Sequence, residues 1–91
     1  MNRFIYILTD CKRKSLHVGM AADLLHTVTF YRENAHLFFD AAINPTRLVY
    51  FEELTDDTTA CARFNQLQRF TRMQKERLIR AVNVNWVDLI Q

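Results

Sequence analysis

The sequence predicts an α+β fold: a small, largely antiparallel three-stranded sheet with helices packed against it, in the order ββα-β-αα. Three observations predict it. Two short runs rich in aliphatic and aromatic residues flank a basic stretch near the N-terminus, a third lies mid-chain, and apolar residues recur at helical spacing elsewhere. With 91 residues there is room for one modest core, so residues 1–91 are read as a single domain. One glycine and one proline leave little for flexible linkers.

Residues 4–9 and 15–20 carry the Ile, Leu, Val and aromatic side chains that strands favour, and Asp10 to Lys14 between them fits a short hairpin loop. Gly19 falls where a strand is expected to lead into a helix, a place where glycine supplies positive φ or admits a ligand close to the backbone. Asp23 is positioned to cap a helix running through Leu24, Leu25, Val28 and Tyr31, whose apolar spacing of i, i+4 and i+7 supports it. His36, Leu37, Phe38 and Phe39 make a further apolar turn, which Asn44-Pro45 ends. Arg47 to Glu53 is the third strand.

Thr55, Asp56 and Asp57 offer capping oxygens and negative charge to a helix from Thr58 to about Phe70, with Ala60, Phe64 and Leu67 on its inner face. A last helix through Lys75 turns Leu78, Ile79 and Val82 inward. The tail is expected to fold back, because Trp86 is a large apolar surface to leave in water.

An apolar fraction of 49% with 24% charged residues excludes a disordered chain. No apolar run approaches the ~20 residues of a membrane span. Met1-Asn2-Arg3 runs directly into strand-like sequence without a signal-peptide core, so a cytoplasmic location is expected. Cys11 and Cys61 match no ligand spacing and read as reduced thiols, with a disulfide between them as the alternative. With them the three histidines form no zinc pattern, and no cofactor is expected.

The net charge of +2 is small, but it is unevenly spread. Lys12, Arg13 and Lys14 cluster in the first loop. Arg63, Arg69, Arg72, Lys75, Arg77 and Arg80 face a single acid, Glu76, between residues 63 and 80. The pattern suits phosphate contacts; a solvated helix face is the alternative. Lys12, Arg13, Lys14, Arg63, Arg69, Arg72 and Lys75 are the candidate nucleic-acid-binding residues.

Phe4-Ile5-Tyr6-Ile7-Leu8 and Leu16-His17-Val18-Gly19 resemble the hairpin that opens the GIY-YIG nuclease domain, with His17 where the second tyrosine belongs. Leu48-Val49-Tyr50-Phe51-Glu52 is similar to the family's third strand, and Ala60 to Leu67 to its Ala-x-x-Arg-Glu-x-x-Leu helix. Asn83 to Leu89 resembles the Asn-Pro-x-Trp-x-Asp-Leu ending of the small, single-domain bacterial branch, which is like the N-terminal domain of the excinuclease C subunit. The resemblance covers nearly the whole chain in register, and it implies a DNA-repair-related fold.

It also implies metal-assisted phosphodiester cleavage, in which a cation and a guanidinium offset charge on the phosphate and a carboxylate holds a hard cation. Carried over by position, most of that apparatus is missing. Tyr6 keeps the first tyrosine, but Thr27 stands at the arginine position, Tyr31 at the histidine position and Phe64 at the metal-binding glutamate. Ala41 and Ala42 stand where basic residues often precede the third strand. Tyr6 and His17 are vestigial catalytic candidates, with His17 able to serve as a base near neutral pH. Phe64 is expected to fill or cover the former site, and Glu52 to be structural.

Three functions follow. The first is a non-cleaving domain that binds DNA or another nucleic acid. The second is a protein-interaction module using the former groove. The third is a divergent nuclease using Mg²⁺ or Mn²⁺ through Glu52, Glu53 or Asp23.

Overall fold

The computed structural model describes residues 2–38 and 46–90, with side chains in the last turn of the first helix, residues 35–38, left aside. The elements are β1 (Arg3–Thr9), β2 (Leu16–Ala21), α1 (Leu24–Phe38), β3 (Arg47–Leu54), α2 (Asp57–Gln68) and α3 (Arg72–Val82). β1 is the central strand, antiparallel to β2 on one side and β3 on the other. The expected order and sheet are thus found.

Strand alternation sends side chains to two faces. On one face Tyr6 and Leu8 pack with Leu48 and with Leu24 and Val28 of α1. On the other Ile5, Ile7, Val18, Val49 and Tyr50 meet Ala60 and Leu67 of α2, Ile79 of α3 and Trp86. Between Ile7 and Leu8 the β1–β3 register shifts, so that Ile7 faces Tyr50 and Leu8 faces Leu48. This bulge lets Val49 and Tyr50 both join the second face.

Each helix start has its cap. The Asp23 carboxylate accepts from the His26 N–H at 3.0 Å, and Asp56 from the Thr59 N–H at 2.7 Å. Thr71 and Gln74 form a reciprocal capping box at α3, a pattern open to view in the sequence as Thr71-Arg72-Met73-Gln74. α1 kinks at Asn34, whose side chain donates to the Phe30 carbonyl at 3.0 Å and so competes with the helical ladder.

The tail folds back as expected, and it does so as a strap. Asn83 caps α3 and donates to the carbonyls of Val49 (3.0 Å) and Val87 (2.8 Å), while its own oxygen accepts from the Val87 N–H at 3.0 Å. Trp86 turns through a left-handed conformation (φ 55°) and is buried to 3% exposure. Asp88 pairs with Arg32 of α1 and accepts from the Leu48 N–H at 3.2 Å, and the Leu89 N–H reaches the Leu48 carbonyl at 2.8 Å. The strap thereby ties α3, β3 and α1 together.

Several expectations need correction. α2 ends at Gln68 instead of Phe70, and its N-cap Asp56 starts it one residue earlier than Thr58. Val82 does not face the core: at 69% exposure it lies on the outer side of the last turn. Phe51, although an aromatic of the third strand, is 43% exposed. Gly19 sits inside β2 without positive φ. Phe39, Ala41, Ala42 and Asn44-Pro45 lie outside the described residues, as do the side chains of His36, Leu37 and Phe38.

Candidate functional site

Antiparallel pairing sets Tyr6 opposite Gly19 and Leu8 opposite His17, so Tyr6, His17 and Gly19 share the face that α1 covers. Tyr31 projects from α1 onto the same spot. The three rings form a triangle, with centroids 6.4 Å apart for Tyr6–His17, 6.5 Å for Tyr6–Tyr31 and 5.7 Å for His17–Tyr31. Gly19 is required by Tyr6, because a Cβ there would lie 2.3 Å from the ring and hydroxyl. The glycine therefore admits a neighbouring side chain, not a ligand or a turn.

Burial chiefly, and hydrogen bonding with Tyr31, push the Tyr6 phenol well above its ordinary range. Burial lowers His17 below its usual 6.5, so its neutral form is favoured. A phenol that resists ionisation and a neutral imidazole make a tight, weakly charged cluster.

The residues expected near this cluster divide. Thr27 is on α1, one turn before Tyr31. Glu52 projects to the opposite face, where it accepts from the Tyr50 hydroxyl and from Arg63 at 2.7 and 3.3 Å. Burial first, then the bond to Glu52, drives Tyr50 up to about 12. Phe64 packs with the core beneath α2 and α3. It neither fills nor covers the Tyr6–His17–Tyr31 cluster, which corrects the expectation that it would close the former site. The residues do not fit a bound divalent cation: the cluster offers phenols and an imidazole, and the Glu52 carboxylate is engaged behind the sheet. Among the described residues no three His, Cys, Asp or Glu side chains converge as ligands.

The second candidate region is the hairpin loop. Asp10 is buried, and its Oδ1 accepts from the N–H groups of Lys14 (2.6 Å) and Ser15 (3.3 Å). Burial opposes its charge, but the backbone donors outweigh that and hold the carboxyl below 3.8. Arg13 takes a left-handed conformation (φ 58°), donates to the Asn85 carbonyl at 2.9 Å and lies 5.2 Å over the Trp86 ring. Arg72, at the start of α3, donates to the Lys14 carbonyl at 2.7 Å and also to that of Arg13. The basic loop is thus fixed against the α2–α3 turn, where Arg69 is the α2 C-cap and Lys75 follows on α3. Arg63 stands apart, committed to Glu52 and Gln66.

This fold recurs elsewhere. A UPF0213 protein of Clostridium perfringens is 28% identical over 81 residues, covering 89% of this chain and 86% of the relative. The solution NMR structure of a UPF0213 protein from Bacillus halodurans matches with a TM-score of 0.62 over 97% of this chain and 93% of that one, at 19% identity. The chain is similar to UPF0213 proteins. No protein-family model matches it. The UPF0213 likeness spans nearly the full length, so the strap, the ring cluster and the basic loop all lie on a shared fold.

Sequence reasoning missed four residues that organise these regions: Asp10, Arg32, Asn83 and Asp88. Asn83 and Asp88 lie in the Asn-x-x-Trp-x-Asp-Leu motif, but their partners Val49, Leu48 and Arg32 are 34 to 56 residues away. No local pattern announces such pairings. The sole local signal was Asp10 before a polar loop, where aspartate commonly bonds backbone donors ahead of it.

Proposed function

We propose that this chain is a GIY-YIG-type domain that binds nucleic acid without cleaving it. The observation that carries this reading is the tethering of the hairpin loop by Arg72, which gathers Lys12, Arg13 and Lys14 beside the α2–α3 turn that bears Arg69 and the first turn of α3 that bears Lys75. Loop and turn are more than 50 residues apart in sequence, yet they form one cationic end. Arg13 and Arg72 hold that end rigid through backbone carbonyls, while Lys12 and Lys14 are exposed to meet phosphates. Threonine at position 27 and phenylalanine at 64 weigh against cleavage. An electrostatic group acting on the transition state is worth ~3–4 kcal/mol, and two such groups are replaced.

The test is anisotropy of a labelled DNA duplex titrated with the protein over a range of salt concentrations. Three to four phosphate contacts predict a log–log slope of roughly −3, and Lys12→Ala/Lys14→Ala should flatten it by about 2. Absence of binding at low salt, or an unchanged slope in the double variant, overturns the reading.

A further inference from the structure

At the other end of β1 from the basic loop lies an open groove of about 590 Å³, lined by Phe4, Leu24, Leu25, Phe51 and the strap residues Leu89 and Ile90, with Asp23 at its edge. Its walls are side chains that a folded protein usually hides: Leu25 is 60% exposed and Leu89 41%. Phe4 and Phe51 form the floor in edge-to-face contact, with centroids 6.3 Å apart. Around this apolar lining the charge is negative. Glu53, the cross-strand partner of Phe4, and Asp23 are both exposed, and no cation pairs with either among the described residues. The nearby acids Glu52 and Asp57 differ, being neutralised by Arg63 and Arg3.

The geometry points to a docking site for a short segment of a partner protein that carries two or three large apolar side chains flanked by lysine or arginine. The apolar side chains would cover Phe51, Leu25 and Leu89, and the cations would meet Asp23 and Glu53. Charge decides the occupant. Phosphate-bearing ligands are repelled by this rim, and a purely apolar ligand brings no cation to either carboxylate. The groove is open to solvent, as a bound peptide segment requires. This site is independent of the basic loop and does not rest on nucleic-acid binding.

The test begins with a phage-displayed random-peptide library panned on the intact protein, with counter-selection on Leu25→Glu. Synthetic versions of the enriched peptides are then measured by fluorescence anisotropy. Enriched peptides should combine apolar residues with Lys or Arg, and should bind at least about tenfold more weakly to Leu25→Glu and Phe51→Ser. Asp23→Asn preserves the helix cap while removing charge, so it should weaken binding without lowering stability. Lys12→Ala/Lys14→Ala should bind these peptides normally. The proposal is overturned if no such peptides are enriched over the Leu25→Glu control, or if their binding is indifferent to Asp23→Asn. A concentration-dependent dimer abolished by Leu25→Glu would overturn it in favour of a second copy of this chain.

Discussion

A methyl group at position 19 would meet the Tyr6 ring at 2.3 Å, and that ring has nowhere to go, being 2% exposed and packed against His17 and Tyr31. Alanine in a strand is otherwise preferable to glycine. Here the clash outweighs that preference, and Gly19→Ala should cost about 1–3 kcal/mol in urea denaturation. In a Tyr6→Leu background the same change should cost far less, because the obstructing ring is gone. His17 gives a second prediction at this scale. Its folded-state pKa is lowered, so the unfolded chain binds more protons below the ordinary 6.5. Its contribution to stability is therefore full above that value and is lost as pH falls toward the folded-state pKa. Urea titrations between about pH 5 and 7 should show stability rising with pH, and His17→Gln should flatten the rise. Asp10 does not confuse the result, since its lowered pKa acts below about pH 5.

At the scale of elements, the strap is the least expected part of the fold. Asp88→Ala removes the ion pair of the half-buried Arg32 guanidinium, which keeps the Thr46 and Ile90 carbonyls, and orphans the Leu48 N–H, so together roughly 1–3 kcal/mol of stability should be lost. Val82→Thr, by contrast, should change stability by less than ~0.5 kcal/mol despite lying in the apolar spacing of α3. Chemical denaturation of both variants distinguishes the observed packing from the one that periodicity suggests. The contrast explains what was legible in the chain. Strands and helices announce themselves through local spacing, and Trp86 through its apolar area. Val82 misleads because α3 ends at Asn83, whose side chain turns back to β3, so that Ile79 and Asn83 are the buried positions and Val82 is left outside. The ring triangle was half legible: Tyr6 and His17 lie on one hairpin, whereas Tyr31 joins them only through the path of α1 across the sheet. The separation of Phe64 from that triangle depends on which face α2 covers, and no spacing within α2 encodes it.

Over the whole molecule, charge is divided along β1. This seven-residue strand spans ~23 Å at ~3.3 Å per residue. Its far end leads into Lys12, Arg13 and Lys14, pinned by Arg72; its near end is bordered by Asp23, Glu53 and Asp56, with Asp57 neutralised by Arg3. The net charge of +2 conceals this polarity. Such a field orients a polyanion toward the loop and away from the apolar groove, with an effect that fades as salt is raised. The ring cluster lies between the two ends, half-buried and weakly charged, with a buried Tyr6 phenol that resists ionisation. The central claim is therefore that the cationic end holds nucleic acid and the cluster leaves it intact. The most direct measurement is a gel-mobility experiment in low salt with Mn²⁺, in which one labelled DNA sample is run both native and denatured, beside a Lys12→Ala/Lys14→Ala control. Retarded DNA that remains full length, with retardation lost in the control, is the predicted result. Cleaved strands in the denatured lane, or retardation unchanged in the control, would contradict it.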